Sequence, residues 1–288
     1  MHTRKSSEEK IICFFHANCT DGAAAAAVIK YKYPQAKCYP MNHGDPIRAR
    51  VKGKRVFIVD FSFKEDILKN FKQEATSVHW YDHHITALPT RDLLGWGVLD
   101  LKESGASLTW KQEFPNKAMP KVLEYVKDKD LYEWKLPHSR EINMYLRGVE
   151  DITNPLSTCW KELLNLKEND PKWQSMIEEG RLALEFQKKT LKKGLKNAFA
   201  IDFHGHRTLA VNWSLEASDM GEYIYKDLGY DVALMFFFTG SIFNFSLRST
   251  KVDVSKIALE YGGGGHPGAA GFRKDNIDFL LKMKKLQK

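Results

Sequence analysis

The sequence predicts an α/β protein: an N-terminal domain with a doubly wound, mainly parallel sheet, and a smaller C-terminal α/β domain with a mixed sheet, joined by a long helix. Three observations predict it. Short apolar runs alternate with helical patterns in the first part of the chain, helical periodicity then persists over residues 171–199, and two later apolar runs are separated by the hairpin signal Gly240-Ser241. The expected limits are residues 1–170 for the first domain, 171–200 for the connecting helix and 201–288 for the second domain. A chain of 288 residues with 43% hydrophobic content can fill two ordinary cores.

Ile11, Ile12, Cys13, Phe14 and Phe15 form an unbroken apolar run, as a strand buried on both faces requires. Residues 16–20 form a polar loop. Asp21 and Gly22 open an alanine-rich helix over 23–33 that Pro34 stops. Further strands are expected at 37–41, 55–60, 78–81 and 97–100, with a helix over 64–73. Ligand crevices in such sheets lie beyond the carboxyl ends of the strands. His16 and Asp21 follow the first strand, Asp60 ends the third, and Asp82, His83 and His84 follow the next, so separate strands deliver acids and imidazoles to one edge.

Residues 104–114, 119–126, 140–148 and 155–166 then read as helices. Asp128 and Asp130 lie beside a helix end and are either a metal ligand with its neighbour or solvated charges beside Lys127 and Lys129. In the connector, Trp173, Met176, Ile177, Leu184, Leu191, Leu195 and Phe199 recur near helical spacing. A strand at 208–212, a helix at 217–228, strands at 232–238 and 242–248 and a helix at 254–261 follow. The chain closes with a glycine loop and a Lys-rich helix.

The net charge of +8 is compatible with a polyanionic partner. Four cysteines without CxxC pairing argue against a zinc ribbon or disulfide framework and for a reducing, cytoplasmic setting. No apolar run approaches the roughly 20 residues of a membrane span, and residues 1–10 read as a polar arm without a signal peptide. Trp80, Trp134 and Trp213 are candidates for base stacking or for packing. His43, His79, His138, His204 and His206 match no motif and receive no role, His204 and His206 falling in a turn between strands.

Asp82, His83 and His84 at the end of a strand invite a metal, because buried acids and imidazoles need partners. Gly262, Gly263, Gly264 and Gly265, followed by His266, let backbone N–H groups approach an anion, and the small residues after them could start a helix whose positive end assists. Arg248 and Ser249 close the preceding strand, and the arginine suits phosphate.

The order of His16, Asp21-Gly22, Asp60, Asp82-His83-His84 and Gly262 to His266 with Ala269, Ala270 and Gly271 resembles the DHH phosphoesterases with a DHH-associated C-terminal domain. That superfamily includes RecJ-type exonucleases, nanoRNases and cyclic-dinucleotide phosphodiesterases. The resemblance implies a manganese-dependent hydrolase, with magnesium or cobalt as substitutes, acting on short single-stranded oligonucleotides in a cleft between two domains. It further implies that Asp21, Asp60, His83 and Asp128 hold one ion, with Asp130 as the alternative acid, and that Asp60 bridges to a second ion on His16. Asp82 would orient the imidazoles, His84 would face the substrate, and Arg248, Gly263, Gly264, Gly265 and His266 would grip a phosphate. The chain departs from the family by having a single acid in the first motif, which leaves Asn18 as a further oxygen donor, Cys19 as a poorer ligand, and one or two ions. The alternatives are a phosphatase of small nucleotides or polyphosphate, and a catalytically silent nucleotide- or RNA-binding module. A homodimer is compatible with the reading.

Overall fold

The computed structural model describes residues 10–287, and the chain divides after Leu184 into two compact units. In the first unit, β1 (Ile11–His16), β2 (Lys37–Met41), β3 (Arg55–Val59), β4 (Ser77–Asp82) and β5 (Val98–Leu99) form one five-stranded sheet in the order β2-β1-β3-β4-β5, with every pair parallel. This is the expected doubly wound order, and its switch point lies between β1 and β3. Alternate residues of β1 point to opposite sides. Ile11, Cys13 and Phe15 join one core, and Ile12 and Phe14 the other. The unbroken apolar run follows from burial on both faces.

The helices of this unit are α1 (Thr20–Lys32), α2 (Glu65–Glu74), α3 (Leu88–Leu94), α4 (Gly105–Glu113), α5 (Lys121–Asp130), α6 (Ser139–Gly148) and α7 (Thr158–Asn165). α2 buries Leu68 and Phe71 on one face of the sheet. α1 lies on the other face with α4 and α5, and its residues Ala23 to Ala27 are at most 3% exposed. Side chains this small let α1 approach its neighbours closely, which sets the spacing of the loops at the sheet edge. α5 runs on to Asp130, so both acids of the pair belong to its last turn and not to a loop beyond it.

The long helix α8 (Lys172–Gly194) crosses the division between the units and ends earlier than its periodicity predicts, in a 3-10 turn over Leu195–Asn197. Phe199, read from the sequence as part of the helical stripe, instead opens β6 (Phe199–Phe203), which pairs antiparallel with β7 (His206–Asn212). The turn between them holds His204 at φ 56° and Gly205 at φ 80°, the left-handed pair that a two-residue hairpin demands. Phe199 fits the helical register as well as the strand, so the local pattern does not separate the two.

The second unit continues with α9 (Ala217–Glu222), a π-type turn at Tyr223–Asp227, β8 (Val232–Phe238), β9 (Phe243–Arg248), α10 (Val254–Glu260), β10 (Gly264–His266), β11 (Ala269–Lys274) and α11 (Asp278–Leu281). Its six strands follow the order β10-β11-β9-β8-β7-β6, and β7 with β8 is the parallel pair in a mixed sheet. Two expectations are corrected here. The residues after the glycine run form a β-hairpin and not a helix start, because Ala270 and Phe272 alternate into the core. The terminal helix is one short turn, α11, and Lys285 beyond it bridges to Ile201. Among the described residues no helix is long and apolar enough to cross a membrane.

One buried ionic knot ties α4 to α5. Glu103, 5% exposed, accepts hydrogen bonds from Ser107 Oγ at 2.8 Å, Lys111 Nζ at 2.6 Å and Lys127 Nζ at 2.9 Å. Burial pushes its carboxyl up, but the bonds from Lys111, Lys127 and Ser107 outweigh burial and hold it below the usual glutamate range. A carboxyl held low by the fold contributes stability that is complete above its unfolded pKa and is lost as pH falls through the folded value. We expect Glu103→Gln to lower stability at neutral pH by about 1–2 kcal/mol. In denaturant titrations, the gap from wild type should begin to close below about pH 4.3. A gap independent of pH would contradict this account.

Candidate metal centre

The side chains delivered to the carboxyl edge converge on Asp60. It follows β3 with φ 52°, a left-handed conformation that Asp tolerates better than most residues, and its N–H donates to Tyr81 O at 2.9 Å. Its carboxylate is 1% exposed and faces imidazoles on two sides, with Oδ1 3.1 Å from His83 Nε2 and Oδ2 3.6 Å from His16 Nδ1. Oδ2 has no hydrogen-bond partner among the described residues.

Asp21 approaches from the first turn of α1. Its carboxylate accepts Gly105 N at 2.6 Å and Ala106 N at 3.0 Å, the free N–H groups at the start of α4. Two glycines make this approach fit. A Cβ on Gly105 would lie 2.3 Å from Asp60 Cβ, and one on Gly22 would lie 2.4 Å from His16 O.

At the end of β4, Asp82 is fully buried, and its Oδ1 accepts His83 N at 2.8 Å, His84 N at 3.3 Å and His84 Nδ1 at 2.7 Å. It therefore shapes the turn and orients the His84 ring. His83 Nε2 turns inward, 3.1 Å from Asp60, 3.4 Å from Asp130 Oδ2 and 3.9 Å from Asp21 Oδ2.

Two groups of potential ligand atoms result, each within 4.8 Å: Asp21, His83 and Asp130 on one side, and His16, Asp60 and His84 on the other. The structure brings Asp130 to the first group and leaves Asp128 out of it. Asp128 is 4% exposed, and its carboxylate is occupied by Lys135 N at 2.8 Å and Leu136 N at 3.3 Å. Asn18 is exposed on the turn at φ 55° and belongs to neither group. Cys19 is held as a neutral thiol, pushed up to about 12 by burial and by the charges of Asp60 and Asp21.

The electrostatics call for a cation. Burial raises the Asp21 carboxyl well above the usual carboxylate range, and Asp130 and Asp60 reinforce the shift. Asp130 is raised by burial and by Asp60, against the pull of His83. Burial alone would lower His83, yet its bond to Asp60 and the charges of Asp130, Asp21 and Asp60 lift it to about 9. Burial works against ionised Asp60 too, but the adjacent imidazoles of His16, His83 and His84 hold it below its ordinary range. Three carboxylates around one imidazole are compensated by retained protons or by a metal ion. Mixed imidazole and carboxylate donors, with the orphaned oxygen of Asp60, fit a divalent metal ion.

A cavity of about 30 Å³, lined by His16, His43, Asp60, Phe61, Asp82, His84 and neighbouring hydroxyls, adjoins the second group. It has room for one or two waters. His43, to which the sequence assigned no role, lies on the loop after β2 with its ring stacked on Phe61 at 4.9 Å. Its placement at the sheet edge, after a strand beside β1, was the available signal.

In the second unit, His266, Ala269 and Arg248 are direct neighbours across β10, β11 and β9, so they form one row on one face. Arg248 is half-buried, and Nη1 donates to Leu247 O at 2.9 Å. The glycines serve strand approach. A Cβ on Gly263 would meet Gly271 O at 2.1 Å, and one on Gly265 would meet Ala270 Cα at 2.5 Å, whereas Gly264 has open space. An open depression of about 430 Å³ beside this row is lined by Asn244, Ser246, Gly263, Gly271 and Arg273. The last of these, with Asn244 and Ser246, went unnoticed in the sequence because strand residues of this kind carry no motif.

Gly105→Ala tests the close approach of α4 to Asp60. We expect a loss of about 1–3 kcal/mol in stability and weaker divalent-metal binding by calorimetry. Unchanged stability and metal affinity would refute the packing argument.

Residues 210–287 match the DHHA1 domain. An uncharacterized protein of Acanthamoeba polyphaga mimivirus is 27% identical across 96% of this chain and 70% of its own length. Oligoribonuclease NrnB of Bacillus subtilis is 25% identical across 75% of this chain, the match spanning 58% of NrnB. Among solved structures, the pGpG-specific phosphodiesterase PggH of Vibrio cholerae shares the fold at a TM-score of 0.56 and 11% identity, covering 94% of this chain and 95% of that one. The DHH domain of a member of the s1p family of ribosomal proteins does so at 0.55 and 15% identity, covering 96% and 87%. With its Asp-His-His turn at the end of a parallel strand and its match to the DHHA1 domain over residues 210–287, the chain is similar to the DHH phosphoesterases.

Proposed function

We propose that the protein is a manganese-dependent phosphodiesterase that hydrolyses short single-stranded oligonucleotides. The observation that carries the reading is the pair of ligand groups on either side of Asp60. In this reading Asp21, Asp60, His83 and Asp130 hold one ion, and His16 and Asp60 the second. A divalent ion there lowers the pKa of a water and offsets charge growing on the phosphoryl oxygens.

The chain's own groups do the rest. The N–H groups of α4 fix the Asp21 carboxylate, and Asp82 fixes the His84 tautomer by accepting from Nδ1. The Nε2 edge of His84 then faces the reacting phosphate. The hydrogen bond that Nδ1 donates to Asp82 raises the His84 pKa and so favours the imidazolium, whose Nε2–H can donate to a phosphoryl oxygen or to the departing alkoxide. Arg248 and His266 grip a second phosphate from their shared row, with Gly264 leaving the strand surface open. The oligoribonuclease activity named for the Bacillus subtilis relative supports RNA as the polymer.

The test compares a 5′-labelled RNA dinucleotide with a longer single strand, in manganese and in chelator. Release of mononucleotide from the dinucleotide in manganese alone is the expected result. Asp60→Asn should lower turnover roughly a thousandfold while the variant still unfolds cooperatively, with the melting temperature of the metal-free protein below wild type because the carboxylate that the imidazoles hold ionised is lost; Asn accepts the positive φ. Full turnover by the folded variant would sink the metal-centre reading. Cleavage of neither strand, with phosphate released from a mononucleotide, would replace the phosphodiesterase with a phosphatase.

A further inference from the structure

The chain leaves α5 directly after Asp130, and it does so under strain. Tyr132 at φ 56° and Trp134 at φ 54° both occupy the left-handed region, which bulky aromatic residues adopt rarely. Asp128 holds the turn in this shape. Its carboxylate accepts Lys135 N and Leu136 N, and its carbonyl accepts Glu133 N at 2.9 Å. Glycine or asparagine would adopt the same backbone at lower cost, so the turn alone does not account for two rings.

What the turn displays is an aromatic pair. Tyr132 is 51% exposed and meets Trp134 edge to face with ring centroids 5.5 Å apart. Arg140 lies over the Trp134 ring, 4.4 Å from its centroid, and braces it. Trp134 Nε1 is buried and has no hydrogen-bond partner among the described residues. Two residues of chain span no more than about 7 Å, so the Cα of Tyr132 lies within that distance of the Cα of Asp130, whose carboxylate is 3.4 Å from His83 Nε2. The other tryptophan candidate in this unit, Trp80, is 1% exposed and donates to Phe61 O, which makes it a core residue.

We infer that Tyr132, braced by Trp134 and Arg140, is a stacking platform for a nucleobase of the substrate. The inference rests on the phosphoesterase reading and deepens it, since a flat aromatic platform serves a nucleotide and is of no use to polyphosphate. Stacking is tolerant of base identity, because every base has a π-face.

The decisive variant is Tyr132→Gly, which removes the ring and relieves the strained backbone together. Binding of AMP and of inorganic phosphate in manganese is measured by calorimetry, alongside the melting temperature. The platform predicts AMP binding weaker by about tenfold, unchanged phosphate binding and a melting temperature equal to or above wild type, with Tyr132→Phe retaining AMP affinity. Unchanged AMP binding in Tyr132→Gly would overturn the inference, as would equal losses for AMP and phosphate, or a wild type that binds AMP no tighter than phosphate. No turnover enters this assay. A protein that grips AMP through Tyr132 yet cleaves no dinucleotide would therefore keep the platform and lose the phosphodiesterase reading.

Discussion

Negative charge concentrated at the end of a parallel sheet is the constraint on which the first unit depends. Asp21 and Asp60 are nearly inaccessible, Asp130 is close by, and one imidazole, His83, faces all three. Such a cluster is tolerable only where each carboxylate is fixed and the excess charge is answered. The surrounding structure supplies the fixing. The N-terminus of α4 holds Asp21, the tight packing of Gly105 on Asp60 holds the turn after β3, and Asp82 holds the turn after β4.

These supports reach deep into the fold. α1 brings Asp21 to α4 because its alanines permit a close helix-helix approach, and α4 is tied to α5 through Glu103. α5 in turn carries Asp130. The geometry around His83 is therefore set by helices on one face of the sheet and by strand ends in the plane of the sheet. A change in core spacing would act on the site through these supports.

The two ligand groups differ in kind. The one around His83 has a surplus of carboxylates, and the one around His16 has Asp60 as its single acid. The single acid in the first motif is thus expressed in space as an imidazole-rich second position beside a small cavity. In the second unit the glycine run acts through backbone spacing. Gly263 and Gly265 bring β10 against β11, and this pairing places His266 in a row with Arg248.

By itself the sequence determined the layered α/β class and the edge at which chemistry gathers, because apolar periodicity and polar residues at strand ends are local signals. His16, Asp21, Asp60, His83 and His84 were legible for that reason. The tertiary structure placed Asp130, and not Asp128, beside His83. Residues two apart on a helix point about 200° apart, so one of the two acids can face His83 while the other caps the chain that follows, and only the packing of α5 selects which. It also decided that Phe199 begins a strand, that the glycine run is a hairpin, and that His43 and Glu103 lie where they do. Each of these depends on a partner distant in sequence, and no local pattern encodes the partner.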